Sequence, residues 1–581
     1  MVKKLMFRLL PVQIILAAAG TINMIVSSFF ASNCVGQNAM SAVGLYGPLN
    51  MFFGAISLML VGGSSILCGE YLGQNHQEKL RGVYTLDVIV SALLGLLFTA
   101  IILALAVFDL TGFFTSDAAV RPLFNQYLIG QAIGILPFIL SNQYASFLFV
   151  ENRGRTTQIA VVVFILVNLG LNYLFVVRMS MEALGLSLAS SIGMWVFLAI
   201  EAWYFVSGRS QLKFAPHAVD FSECTHIIRI GLPGALSNGY QTIRGLVVNH
   251  LIEVYVGAVG LSAFAAANNF LALFWAIPTG MVAVSRMLMS VAIGEEDRRS
   301  LTEVMRTALT RYVPLMCIIA TVPIIFAHPL AHLFFKDTSS PVYTMTVWAF
   351  RILPICLPLG IPCMHYVCYA QAAAKQRIVY ILTIFDGVIN VALFTAILIP
   401  LIGMNSVYHA NVINGIVCIL IIIIYATVCR KRFPRNMNDL MVIPDSFGAG
   451  EDEHTNISVK SIDEAVNISQ DIQKFCLDKG MDKRKSFYAA LAAEEMVVNV
   501  VEHGFARDKK RHSMDVRVVC KEGNIILSIK DDCQPFDPES MNQLTSGDDV
   551  ASNIGIRMIY SIAESIKYQN MFGLNVLTIR I

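Results

Sequence analysis

An all-α bundle of about twelve membrane-spanning helices, followed by a soluble α+β two-layer domain, is the fold this sequence predicts, and three observations predict it. Apolar stretches of roughly 20 residues recur about twelve times before residue 430. The two halves of that region match each other at one constant offset. After residue 435 the hydropathy collapses, charges become dense, and the hydrophobic period switches to that of short helices and strands.

The first observation begins with composition. Of 581 residues, 56% are hydrophobic and only 14% charged, too apolar for an ordinary soluble protein. The net charge of +2 averages a sparsely charged front and a densely charged tail, and suggests no nucleic-acid partner; the lipid bilayer is the expected surroundings of the front. The 12 cysteines are scattered, with no CxxC pair and no Cys/His cluster at ligand spacing, so reduced structural thiols are expected. Lys3, Lys4 and Arg8 before an apolar stretch mimic a signal peptide, but the run continues to about Phe30 and is read as the first membrane helix.

Predicted spans lie near 10–32, 46–68, 86–108, 124–150, 157–177 and 184–206, then near 228–250, 259–285, 308–330, 342–370, 378–400 and 406–429. Basic residues fall on alternate connections: Lys79 and Arg81, Arg153 and Arg155, Arg209 and Lys213, Arg298 and Arg299, Lys375 and Arg377, then Arg430 to Arg435. That bias puts both termini in the cytoplasm. The internal match pairs Gly36 with Gly257, Ser41 with Ser262, Ala42 with Ala263, Gly73 with Gly294, Leu80 with Leu301 and Pro137 with Pro358 (257 − 36 = 221, as for each pair). Six helices per half make parallel repeats with a cavity between two lobes.

The opening of the second half, IGLPGAL (Ile230 to Leu236), the alanine-rich GLSAFAA after it, and the GEEDRRSL loop resemble the multidrug and toxic-compound extrusion (MATE) family over about residues 1–435. The resemblance implies lobes at 1–215 and 216–435, a bacterial inner membrane, and export of small cationic or amphiphilic molecules by antiport with H⁺ or Na⁺. Where the family commonly carries acids, this chain has Ser27 and Asn172, which cannot titrate near neutral pH. Other ionisable residues sit at membrane depth: Asp87, Glu201, Arg244, Arg351 and Asp386. Asp386 is the leading cation-responsive candidate, with Asn390 one turn on. The structural alternative places Asp87 near the cytoplasmic edge, pairs Glu201 locally and pairs Asp386 with Arg351 or Arg244. Asn168, Asn172, Asn268, Asn269, Asn390 and Gln143 are candidates to line a polar cavity, with helix-to-helix packing as the commoner role for such residues.

The tail opens with a Pro-, Gly- and acid-containing linker at 436–458, and residues 459–581 read as the separate domain. Amphipathic helices are predicted over SIDEAVNISQDIQKFCLDKG and KSFYAALAAEEMVVNVVEHGF, with strands MDVRVVC, NIILSIK, IKYQN and NVLTIRI. Glu495, Asn499 and His503 recur every fourth residue, putting a carboxylate, an amide and an imidazole on one stripe. DDCQPFDP (Asp531 to Pro538) and SNIGIRMI (Ser552 to Ile559) follow. That ordered trio resembles the histidine-kinase-like ATPase fold, in its anti-sigma-factor serine-kinase branch. The resemblance implies ATP and Mg²⁺, with Glu495 as base, Asn499 on the metal, Asp531 accepting from the adenine amino group, Gly555 by the phosphates and Thr578 supporting the adenine. His503, Phe536, Asp537 and Asn553 complete its motifs. Cys533 and Ser552-Asn553 replace glycines of the pattern.

Two functions follow: an exporter with a nucleotide-binding regulator, for which the resemblance implies serine/threonine kinase activity, or a sensor whose transporter fold controls a kinase or docking module for an anti-sigma-antagonist or sigma-factor-like protein.

Overall fold

The structure is a computed structural model describing residues 2–115, 117, 119–450, 452–459, 467–505, 512–521, 523–535 and 554–581. The first half folds as six long helices: α1 (Val2–Phe30), α2 (Gln37–Gly73), α3 (Gln77–Val107), α4 (Val120–Val150), α5 (Gly154–Arg178) and α6 (Glu182–Val206). The second repeats them: α7 (Ser222–Tyr255), α8 (Ala258–Gly294), α9 (Arg298–Ile325), α10 (Pro341–Ala372), α11 (Gln376–Ile402) and α12 (Asn405–Arg430). Among the described residues, 11 helices are long and apolar enough to cross a membrane. The exception to the predicted twelve is α7, whose middle carries Asn238, Gln241 and Arg244. It nevertheless packs along α2 as part of the bundle.

The sequence repeat has a physical counterpart at the seam between halves. Gly36 and Gly257 precede α2 and α8 at φ 125° and 84°, backbone that a side chain rarely adopts. Gly73 and Gly294 end the same two helices and face each other. A Cβ on Gly73 would strike the Val291 carbonyl, and one on Gly294 the Glu70 carbonyl, so only glycine lets the helices touch there. In the opposite half of α2, a Cβ on Gly44, Gly47 or Gly54 would meet nothing within 4 Å. The lobes therefore close at the end bearing Gly73 and Gly294, which is also the end where the tail lies.

The tail is a five-stranded antiparallel sheet, ordered β1-β2-β3-β5-β4: β1 (His454–Val459), β2 (Met514–Lys521), β3 (Asn524–Asp531), β4 (Ser565–Met571) and β5 (Leu574–Arg580). Helices α13 (Ile468–Asp478), α14 (Lys483–Asn499) and α15 (Ile554–Ile562) complete it. Alternation along β3 sends Ile525, Leu527 and Ile529 into a core shared with Ala489, Ala492, Ala493 and Met496 of α14. Asp482 caps α14, accepting from the Arg484 and Lys485 amides at 2.9 and 3.2 Å. β1 corrects the predicted linker: HTNISV is too polar to announce a strand, yet it pairs with β2 from His454↔Val519 to Val459↔Met514. The rest of that segment is pinned to the helices, with Arg298 donating to the carbonyls of Pro444, Asp445 and Phe447 at 2.7, 3.0 and 2.8 Å.

Candidate functional site

A cavity of about 300 Å³ lies between the lobes. Gln13, Ser57, Asn142 and Phe149 reach it from the first lobe, Asn238 and Arg286 from the second. None of the predicted cavity residues Asn168, Asn172, Glu201, Arg244, Asn269, Asp386 or Asn390 lines it. The structure gathers most of them inside the lobes instead. In the first lobe, Asn172 donates to the Asn168 Oδ1 at 2.8 Å, Asn168 donates to Ser190 at 3.1 Å, and Ser190 meets Ser27 at 3.4 Å. The two positions where acids were missing thus belong to one neutral, buried network. In the second lobe, Asn390 donates to Asn414 at 2.9 Å and Asn414 to Asp386 at 2.8 Å. Asp386 sits in a π-type turn, Phe385–Ile389, that interrupts α11.

Of the two predicted partners of Asp386, the structure supplies one. Arg244 is the arginine in electrostatic contact with Asp386. Arg351 instead lies 3.1 Å from the His328 Nε2 and stacks over Trp348. Asp87 is fully buried beside Ser64, ten residues into α3, which begins at Gln77 (87 − 77 = 10). Glu201 is fully buried beside Thr157, without a cationic partner among the described residues. Asn269 is exposed.

Arg286 was missed. The eighth predicted span ended at residue 285, whereas α8 runs to Gly294, so this arginine lies within the helix and not in a loop. Its guanidinium reaches the other lobe: a Cβ on Gly62 of α2 would stand 3.9 Å from Nη1. The Nε is buried without a hydrogen-bond partner.

In the tail, the predicted residues partly converge. Asp531 ends β3 and is buried; burial pushes its carboxyl up, offset in part by the groups that donate to it. Its Oδ1 accepts from the Cys533 amide at 2.9 Å and from the Asn575 side chain at 2.8 Å, and the Cys533 thiol bonds the same carboxylate. Asn499 ends α14, and a π-type turn, Val500–Gly504, follows it. Glu495, one turn earlier, lies against Gly555 at the start of α15, where a Cβ would collide with its carboxylate. Cys533 packs on Gly504, where a Cβ would come 2.9 Å from the sulfur. An anchored buried acceptor, an amide and a helix start fit the adenine, metal and phosphate ends of a Mg²⁺-nucleotide. Asp531 and Asn499 are the residues that would hold those first two parts, and the metal would neutralise phosphate charge.

Thr578 is not part of this group. It pairs with Ser528, and both lie on the sheet face opposite the core residues Leu577 and Ile579. The strand neighbour of Asp531 is Asn575, a residue the sequence did not single out because register was not readable there. Phe536, Asp537 and Asn553 lie outside the described residues, as does the His503 side chain.

The face bearing Thr578 has another task. Arg517 of β2 and Lys530 of β3 project from it onto the α8–α9 connection, with Arg517 at 3.1 Å from Asp297 and Lys530 at 2.5 Å from Glu295. Burial alone would push Asp297 up, but Lys530, Arg517 and two hydrogen bonds from Ser300 hold it below the usual carboxylate range. The first lobe is held elsewhere. Lys4 pairs with Asp532 at 2.7 Å, Arg8 donates to the Phe572 carbonyl, and the Phe572 amide donates to the Val150 carbonyl at 3.3 Å. The Phe572 ring, at the β4–β5 turn, packs 5.8 Å from that of Phe149, the cavity residue. Asp532, partly buried, is held low by Lys4, the Ser513 amide and His512. The tail thus bridges both lobes at their closed end.

Two six-helix lobes around a seam cavity, with a sheet-and-helix domain of nucleotide-binding type docked across them, define a transporter fold with an appended ATPase-like domain. The chain belongs to the MatE family, whose model matches residues 13–174 and 233–395, and the model described as histidine kinase-like ATPase domain matches residues 461–581. Probable multidrug resistance protein NorM of Bacillus licheniformis is 25% identical over 181 residues, 30% of this chain and 39% of that protein. The protein of the same description from Listeria innocua is 23% identical over 247 residues, 41% of this chain and 53% of that one. The chain therefore spans about two fifths to one half of these curated relatives. Among solved structures, MATE in complex with MaL6 superposes with a TM-score of 0.68 at 22% identity, covering 72% of this chain and 94% of the other. An outward-facing multidrug resistance MATE family transporter of the MOP superfamily gives 0.67 at 22%, covering 72% and 93%. At that identity the likeness is one of fold.

Proposed function

We propose that this protein exports small amphiphilic molecules across a bacterial inner membrane, both termini cytoplasmic, and that its tail binds Mg²⁺-ATP and regulates export. The observation that carries the reading is the bridge: one domain grips Glu295 and Asp297 of the second lobe and Val150 of the first, and through Phe572 touches Phe149 of the cavity wall. A domain so placed biases the lobes' relative position, and alternating access needs that position to change.

Ser27 and Asn172 of the first lobe are locked in a neutral network and cannot serve coupling to H⁺ or Na⁺, which we assign to the second lobe. Asp386, supported by Asn414, is the charge that a cation would compete for. Full-length protein in proteoliposomes should move at least one dye from a set of cationic, uncharged and anionic amphiphiles, and Asp386→Asn should remove the dependence on an imposed H⁺ or Na⁺ gradient. Flux unchanged in Asp386→Asn would dismiss that residue.

The sensor reading keeps one supporting observation, the same neutral network. In it, the tail acts as an anti-sigma-type kinase or docking module on a cytoplasmic protein. No flux of any dye, together with ligand-dependent phosphorylation of a partner, would favour it.

A further inference from the structure

We propose that the cavity between the lobes recognises an anionic group, so that the molecules carried are acidic amphiphiles (sulfonates, carboxylates or phosphates on an apolar body) and not organic cations. The inference rests on the exporter reading and names its substrate class.

Charge decides it. Among the described residues lining the cavity, Arg286 is the one ionisable side chain, and it forms no ion pair. The rest of the polar lining is neutral: Gln13, Asn142 and Asn238 offer amides, with serines between them. A cation would meet a like charge in surroundings of low dielectric, with no carboxylate to offset it. An anion would find the opposite: a guanidinium with a fork of donors, suited to planar or tetrahedral oxyanions, and amide donors around it. The apolar body has Leu16, Leu58 and Phe138 to lie on.

Position adds a consequence. Arg286 belongs to α8 of the second lobe, and its guanidinium lies against Gly62 in α2 of the first. An anion held there sits at the seam that must part and close during transport, so binding and lobe position are linked.

The test uses the full chain in nanodiscs and three fluorescent probes: 1-anilinonaphthalene-8-sulfonate, its uncharged parent N-phenyl-1-naphthylamine, and the cation ethidium. The wild-type protein should bind the sulfonate at least about tenfold more tightly than Arg286→Gln does, a difference of about 1.4 kcal/mol. Arg286→Lys, which keeps the charge but not the fork of donors, should fall between the two. The uncharged parent should bind wild type and both variants alike, which also certifies that the variants fold. Sulfonate affinity unchanged in Arg286→Gln, or wild-type preference for ethidium over the sulfonate, would overturn the proposal. Dye flux measured in parallel separates the two readings: sulfonate binding without flux of any probe sinks the exporter and leaves the anion site, while ethidium flux that is indifferent to Arg286 does the reverse.

Discussion

Replacing Arg517 and Lys530 together by glutamate should release the tail from the helices. Each cation lies on the sheet face turned to the α8–α9 connection, and each meets a mostly buried carboxylate there, Asp297 or Glu295. Removing one partner of a buried pair costs about 3–5 kcal/mol, because the other charge stays desolvated, and reversal adds repulsion. Trypsin susceptibility and amide exchange over residues 295–300 should rise in the double variant. Pairing Lys530→Glu with Glu295→Lys should restore part of the protection, an outcome that simple misfolding would not give. The pH profile follows from the same groups. Asp297 is held below its ordinary value of 3.8, so its contribution is present above that value and lost as pH falls through the lowered one. Lys530 is raised above 10.5 by Glu295 and Asp297 in spite of its burial, so its contribution is present below 10.5 and lost as pH climbs through the raised value. The contribution of the Asp297 and Lys530 contact should therefore be flat between about pH 5 and pH 10.

Asp531→Asn should weaken nucleotide binding by the full-length protein about ten- to a hundredfold. The Asp531 Oδ1 already accepts from the Cys533 amide and from Asn575. An asparagine must keep its oxygen on those donors, which turns its NH₂ group toward any adenine amino group, donor against donor. Loss of one charged hydrogen bond with a buried donor left unpaired amounts to roughly 1.5–3 kcal/mol, or about ten- to a hundredfold in affinity. Calorimetric titration with Mg²⁺-ATP measures it. The Cys533 thiol bonds the same carboxylate where the family pattern has glycine, so Cys533→Gly should tighten binding by freeing that acceptor. Weaker binding in Cys533→Gly would show that the thiol supports the site instead of competing for it.

Much of the architecture could be foreseen because lipid forces it. Each span needs its own apolar run, and the 221-residue offset matched Gly73 with Gly294, two positions that the fold brings face to face. What failed to show is whatever depends on register or on distant pairing. Arg286 fell outside its predicted span by one residue because hydropathy windows locate helix ends poorly, yet that one residue sets the charge of the cavity. Asn575 and Thr578 differ by three positions on one strand, and only the Asp531↔Asn575 pairing shows which of them meets the carboxylate. β1 is too polar to stand out. Arg517 and Lys530 alternate with core residues as the solvated face of a sheet would, and their partners lie more than 200 residues away in sequence (530 − 295 = 235). Asn168, Asn172 and Asn390 are buried and Asp386 is half-buried, but helix periodicity does not say whether such a group faces a neighbour or a void.

The account turns on a nucleotide bound in the tail being felt by the lobes, and the dependence of dye flux on nucleotide measures that directly. Proteoliposomes with a non-hydrolysable ATP analogue and Mg²⁺ on the tail side should differ several-fold in flux from those without it, and the difference should vanish in Asp531→Asn and in the Arg517→Glu/Lys530→Glu variant. Equal flux with and without the analogue, in protein shown by titration to bind it, would contradict the account.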